Sequence, residues 1–261
     1  LSGKVAVITG ASRGIGEAIA YRFAQAGASV VVTARTLDDG DHKLAGGINN
    51  VVETIRSFGG TAIAIRADLG LEDHRCELIK AIEHRVGPVD ILINNAGASW
   101  GAPFDEFPES GWDKVMDINV KSLFFLTQQL APMMRASATP EQPAKVINIA
   151  STDGLSNSRI ETYSYSASKA AVIHLTRRLA NRLAEDNIRV NAIAPGAFAS
   201  NMNIWARDNP EGVAPRIPAK RIGKPDDIAG TAVYMCSRAG DFLLGATIPL
   251  DGGTVYGTLQ G

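Results

Sequence analysis

Short apolar runs alternate along this chain with longer segments whose apolar residues recur every three or four positions. Val5-Ala-Val-Ile-Thr9 is apolar up to its threonine, the pattern of a strand buried on both faces of a parallel sheet. Ile15, Ala18, Ile19, Phe23 and Ala26 then fall at helical spacing, and Gly27 stands where a helix ends. The alternation continues to the end. Further strands are predicted at 29–34, 61–67, 89–93, 145–150, 188–194 and 246–250, with helices near 51–58, 72–86, 112–135, 163–184 and 225–237. In the helix at 112–135 the apolar face is Val115, Ile118, Val120, Leu123, Leu126 and Leu130. Seven strands alternating with helices predict an α/β chain with a parallel, doubly wound sheet.

Two segments break the rhythm. Residues 36–50 (TLDDGDHKLAGGINN) are long for a connection that usually takes two to six residues; they read either as a flap beside a ligand or as a surface insertion. Residues 197–222 hold Met202, Ile204, Trp205 and scattered prolines without steady periodicity, the composition of an ordered substrate lid.

Composition narrows the class. The 261 residues are 45% hydrophobic with a net charge of -1, which suits one globular domain spanning 1–261 with a sizeable core. There is no basic stripe for nucleic acid and no run of 18 apolar residues for a membrane, and the start lacks a secretory pattern. A cytoplasmic location is expected. Cys76 and Cys236 are isolated and the four histidines are scattered, so free thiols and no metal are expected.

The chemistry gathers at strand ends. Gly10-Ala-Ser-Arg-Gly-Ile-Gly16 joins the first strand to its helix; the glycines let backbone approach a pyrophosphate and the helix N-terminus offers unpaired N–H groups. At the end of the second strand an acid would select a ribose hydroxyl, but the chain reads Ala34-Arg35. Arg35 and Arg13 can clamp a 2'-phosphate, although Asp38, Asp39 and Asp41 lie close in sequence. Asn94-Asn-Ala-Gly97 closes the fourth strand with small residues that leave room for a flat ligand, and Trp100 adds an apolar wall. Asn119 interrupts a helical face: it is either a satisfied core polar residue or the anchor of a water.

Tyr165 and Lys169 are one turn apart on one predicted helix face, and Ser151 ends an apolar strand. This is either an ordinary helix pair or a device for moving a proton. A tyrosine with pKa about 10 is a poor acid-base group at neutral pH unless a cation stabilises phenolate, and Lys169 is placed to be that cation. Ser151 is placed to donate to a carbonyl oxygen whose charge grows during reduction.

Taken together, Thr9-Gly-Ala-Ser-Arg-Gly-Ile-Gly16, Asp68-Leu69, Asn94-Asn-Ala-Gly97, Asn119, Ser151, Tyr165-x3-Lys169, Pro195-Gly196 and Asp251-Gly-Gly resemble the short-chain dehydrogenase/reductase family over the whole chain. The resemblance implies a Rossmann-like fold and NADP(H) as cofactor. It assigns Tyr165 as general acid-base and has Lys169 lower the pKa of Tyr165 and hold the nicotinamide ribose. Ser151 then orients the carbonyl and Asn119 supports a relay water. For the cofactor it implies Gly10, Ser12, Arg13, Gly14, Ile15 and Gly16 at the pyrophosphate, and Asp68 and Leu69 at the adenine. Asn95, Ala96 and Gly97 lie on the ribose side, and Pro195, Gly196, Phe198 and Ser200 at the nicotinamide. A homotetramer or homodimer is also implied, with the helices at 112–135 and 163–185 pairing across subunits.

Within the family, residues 94–102 and 111–116 are similar to 3-oxoacyl reductases of the rhamnolipid-synthesis type. Against an acidic carrier protein as partner stand Glu141, Glu185 and Asp186, expected near the active-site mouth. The reading is a small-molecule carbonyl reductase with an apolar pocket of Trp100, Met202, Ile204 and Trp205; the alternative is a 3-oxoacyl-thioester reductase. A nucleotide-sensing protein without catalysis is a third reading, which the full proton-transfer set opposes.

Overall fold

The computed structural model describes residues 1–41, 45–157, 160–200 and 202–257. Its seven strands are β1 (Val5–Thr9), β2 (Ser29–Ala34), β3 (Thr61–Arg66), β4 (Ile91–Asn94), β5 (Ala144–Ile149), β6 (Ile188–Pro195) and β7 (Thr247–Leu250). They form one parallel sheet in the order β3-β2-β1-β4-β5-β6-β7. The helices are α1 (Gly14–Gln25), α2 (Ile48–Ser57), α3 (Glu72–Arg85), α4 (Glu109–Met116), α5 (Ser122–Ser137), α6 (Tyr163–Leu183), α7 (Ile204–Asp208), α8 (Pro210–Val213) and α9 (Pro225–Cys236).

The apolar strands are buried on both sides, as their composition requires. In β1, Ala6 and Ile8 share a buried cluster with Ile19 and Phe23 of α1, Val51 and Ile55 of α2, and Met235 of α9. Val7, between them, belongs to the opposite cluster with Leu78 and Ile82 of α3 and Leu126 and Leu130 of α5. Side chains alternate faces, so each strand feeds two cores. The chain winds outward from β1 to β3 and then restarts beside β1 with β4. A ligand crevice therefore opens where β1 and β4 end.

Two expectations need correction. The helix predicted over 112–135 is two helices, α4 and α5, joined by a π-helical turn at Asp117–Lys121. That turn holds Asn119, 2% exposed, and π turns are frequent at functional sites. The second correction concerns Glu141, Glu185 and Asp186. They lie on connections that enter β5 and β6, where the Ala144 N–H donates to the Asn187 carbonyl and Lys4, just before β1, reaches Gln142. In a parallel sheet that is the end opposite the crevice. Asp186 is there paired with Arg135 and Arg182.

Candidate active site

The glycine turn is welded to the end of β4. Thr9 Oγ1 accepts from the N–H groups of Asn95 and Ala96, both at 2.9 Å, and donates to the Ile93 carbonyl. Asn95 Nδ2 donates to the carbonyls of Thr9 (2.8 Å) and Gly10 (3.0 Å). Gly10 has φ +62°, and a Cβ there would stand 2.8 Å from Ala96 Cα. At Gly16 a Cβ would meet Asn95 Nδ2 and the Gly10 carbonyl, each at 2.5 Å. Both positions therefore demand glycine. The Asn95 amide nitrogen, expected on the ribose side, is used to hold the turn.

Arg13 caps α1 in extended backbone and sends its guanidinium to the Gly46 carbonyl (2.9 Å) and Thr36 Oγ1 (3.4 Å); its Nε is buried without a partner. Arg35 is exposed and 3.9 Å from the Asp68 carboxylate. The described part of the segment at 36–50 thus packs on the glycine turn: a Cβ on Gly46 would lie 2.6 Å from the Ser12 carbonyl. Its acids are exposed but bonded within the segment. Asp41 accepts from the Leu37 and Asp38 N–H groups, Asp39 from Gly46, and Asp38 from Asn49, so they are taken up by the loop itself. An orphaned guanidinium nitrogen, a second, exposed arginine and left-handed glycines at a helix start suit a phosphate-bearing dinucleotide.

The proton-transfer candidates meet at the ends of β5 and α6. Ser151 caps a 3-10 turn, Thr152–Gly154, its Oγ accepting from the Asp153 N–H at 3.2 Å. Tyr165 is half-buried. Burial is the first cause that pushes its pKa up to about 12; a hydrogen bond with Ser151 pulls downward and the Asp153 charge adds to the rise. Lys169 is 5% exposed, and burial lowers its pKa to about 8. Its Nζ donates to the Ile149 carbonyl at 2.7 Å and lies 5.5 Å from the Tyr165 ring centre. Burial is the largest cause of both shifts.

Asn119 is a satisfied buried polar residue. Its Oδ1 accepts from the Ala98 N–H (2.8 Å), and its Nδ2 donates to the Ala98 carbonyl and Ser168 Oγ, both at 2.9 Å. Ser168 in turn donates to the Tyr165 carbonyl at 2.7 Å. Asn119 thus fixes α6 beside the β4 loop. A Cβ on Gly97 would stand 3.1 Å from Asn119 Oδ1.

At the far end of the crevice, Phe198 is 6% exposed and pairs with Gly223 as an isolated bridge. It also lines a cavity of about 440 Å³ that runs between α1 and α9, walled by Ala18, Tyr21, Ile228 and Ala229. Gly196 leaves no room for a Cβ beside Asp251, and Ser200 Oγ accepts from the Asn203 N–H. The predicted apolar pocket is not assembled. Trp100 packs on α4, where a Cβ on Gly111 would touch its ring at 2.7 Å. Met202, Ile204 and Trp205 are exposed, Trp205 under the Arg216 guanidinium at 4.8 Å.

Sequence reasoning missed Arg75, which is 3% exposed and donates to the Leu69 carbonyl at 2.6 Å, while His74 Nδ1 accepts from the Asp68 N–H. Together they hold the Asp68–Leu69 turn. The signal was present: Arg75, Leu78 and Ile82 fall on one helical stripe. Also missed was the buried chain from Thr127 through Asn94 and Asn148 to Thr176.

A parallel sheet of this order, with a glycine turn at its switch point and Ser, Tyr and Lys at the neighbouring strand end, defines a nucleotide-dependent dehydrogenase. The short chain dehydrogenase family matches residues 4–211. A rhamnolipids biosynthesis 3-oxoacyl-[acyl-carrier-protein] reductase of Pseudomonas aeruginosa is 41% identical over 256 residues, 97% of this chain and 96% of the relative. The solved Pseudomonas aeruginosa RhlG/NADP active-site complex superposes with a TM-score of 0.90 at 41% identity, over 98% of this chain and 97% of that one. A 7α-hydroxysteroid dehydrogenase complexed with NADH and 7-oxo glycochenodeoxycholic acid superposes with a TM-score of 0.87 at 38% identity, over 97% and 94%. The chain belongs to the short-chain dehydrogenase family.

Proposed function

We propose that this protein is an NADP(H)-dependent carbonyl reductase, equivalently a secondary-alcohol dehydrogenase, acting on a free ketone in a single domain whose lid is the segment near 197–222. The observation that carries the reading is Tyr165 set between the Lys169 ammonium, 5.5 Å from its ring, and the end of β5, where Ser151 stands. The bound cofactor supplies the hydride. Ser151 and Tyr165 polarise the carbonyl oxygen, and the Tyr165 hydroxyl gives it a proton. Lys169 holds the ribose side and offsets charge left on the phenol. Asn119 keeps α6, and with it Tyr165 and Lys169, in register with the β4 loop.

Arg13 and Arg35 support NADP over NAD, as does the NADP bound by the Pseudomonas relative. Asp68 and Leu69 take the adenine end and Phe198 with Ser200 the nicotinamide end. Relatives act on acyl carrier substrates and on steroids by their names, so the family alone does not choose the substrate. The surface favours a free ketone. Asp105, Glu106, Glu109 and Glu161 are exposed between β4 and the start of α4 and ahead of α6, where Phe104 N–H donates to Glu161. The lid arginines are engaged: Arg207 with Asp208, Arg221 with Asp227, and Arg216 on Trp205. An acidic carrier meets acid there. Exposed Trp112 and Phe125 on α4 and α5 support a homotetramer or homodimer paired through these helices and α6, working in the cytoplasm.

The test is a steady-state assay with NADPH and NADH over a panel of free ketones and matched acyl thioesters, for the wild type and Tyr165→Phe. Ketone reduction that depends on Tyr165 supports the reading; turnover confined to carrier-bound acyl groups overturns it.

A further inference from the structure

Asp153 takes no part in the proton-transfer scheme, yet its position beside that machinery is tightly fixed. Its N–H donates to Ser151 Oγ at 3.2 Å. The next residue, Gly154, sits so close to α6 that a Cβ would lie 2.6 Å from the Lys169 carbonyl carbon and 2.8 Å from Ala170 N. No side chain is tolerated at that contact, so the turn carrying Asp153 is clamped against the helix that carries Tyr165. The Asp153 carboxylate is near enough to Tyr165 for its charge to act on the phenol.

Three observations set this carboxylate apart from an ordinary surface acid. Burial raises its pKa, and among the described residues no hydrogen bond or ion pair engages its oxygens. It lines a cavity of about 520 Å³ with Leu155, Asn157, Ile160, Tyr163 and Ser166. The surroundings share its sign. Tyr163, on the same wall, has its pKa raised by partial burial, then by Glu161, which accepts its hydroxyl, and by Asp105. A half-buried acceptor with no partner among the described residues is open to a donor from a bound ligand.

We propose that Asp153 is a specificity-determining residue that recognises an ammonium or hydroxyl group on the ketone substrate and disfavours substrates bearing a carboxylate. This deepens the carbonyl-reductase reading and rests on it. The site thereby favours amino- and hydroxyketones over plain ketones, with oxo-acids last.

Four cyclohexanones that differ only at C4 test the order: amino (as ammonium), hydroxy, methyl and carboxylate. In the wild type with NADPH, kcat/KM is expected to be highest for the amino compound and to exceed that for the methyl compound by about 10-fold or more, the size of a charge-assisted hydrogen bond. The hydroxy compound falls between them and the carboxylate comes last. Asp153→Ala flattens this order, read as ratios within each variant so that any change in Tyr165 cancels. Asp153→Asn, which keeps an acceptor but no charge, retains the hydroxy preference and loses the ammonium preference. Turnover in the wild type without this order, or an order that survives Asp153→Ala, overturns the proposal while leaving the reductase reading intact. No turnover of any of the four with NADPH or NADH overturns both.

Discussion

Lys169 lies 5.5 Å from the centre of the Tyr165 ring, yet its hydrogen bond goes to the Ile149 carbonyl at 2.7 Å. The two groups are therefore coupled to folding more strongly than to each other. An unfolded lysine keeps its proton to about pH 10.5 and the folded Lys169 releases it near 8, so between those values the unfolded chain binds more protons and stability rises with pH. Below pH 8 both states are charged and the contribution is flat, a cost on the order of 3 kcal/mol. Tyr165 acts in the opposite sense: its folded pKa of about 12 exceeds the unfolded value of 10, so stability falls between pH 10 and 12. Burial likewise pushes the Cys236 thiol from 9 up to about 12, which removes stability from pH 9 upward, so urea melts across pH 7 to 12 should show a maximum between pH 9 and 10. Lys169→Met should be more stable than the wild type at pH 7 and should lack the rise; an unchanged slope between pH 8 and 10 would remove the argument.

Tyr165→Phe deletes one hydroxyl. Turnover should fall by on the order of 10²-fold or more, the usual size of an acid-base contribution, with cofactor affinity nearly intact. Single-turnover rates and a fluorescence titration with NADPH separate the two.

The wild type should prefer NADPH to NADH. Ala34→Asp with Arg35→Ala should reverse that, because the new acid accepts from a ribose hydroxyl and repels a 2'-phosphate. The loop acids at 38, 39 and 41 bond within their own segment and should not blunt the switch. A wild type selective for NADH would dismiss the two arginines as a phosphate clamp.

Asn119→Leu leaves the Ala98 N–H and carbonyl and Ser168 Oγ without their partner. An unsatisfied buried group costs about 1–3 kcal/mol, so the denaturation midpoint should drop clearly and kcat should fall with it. A variant as stable as the wild type would show that the π turn does not depend on these bonds.

A free 3-oxoacyl thioester should be reduced at least as efficiently as the same acyl group on a carrier protein, with little response to salt. Steering toward a basic patch weakens steeply with ionic strength. A large carrier advantage lost on adding salt would mean that Arg207, Arg216 and Arg221 leave their present contacts to receive it.

The sheet was legible because its strands are apolar on both faces and separated by helical stripes; Ala6, Val7 and Ile8 alone imply two cores. The glycine turn and the Ser151, Tyr165 and Lys169 set were legible from type and spacing. Asn119 was visible as an anomaly, but a π turn has no period of its own to read. The role of Asn95 was hidden because its bonds go to backbone 85 and 86 residues away. Glu141, Glu185 and Asp186 fall away from the mouth because they lie on connections that enter β5 and β6, at the end of a parallel sheet opposite its ligand crevice. The predicted apolar pocket failed because Trp100 found its contact locally, on Gly111 of α4.

The weld between Thr9 and Asn95 bears on how such a chain can be recombined. Residues 10–94 can be exchanged with a homologous block only if the donor's glycine turn accepts the host's Asn95 amide and its fourth strand ends where the host's Thr9 can still cap the backbone at 95 and 96. A crossover inside that block, with a parent lacking either residue, strands two donors and their carbonyls at the switch point. Exchange of 197–222 touches none of these bonds. Chimaeras cut at the lid should keep their cofactor seat, and those cut between β1 and β4 should lose it unless both parents carry the threonine and the asparagine.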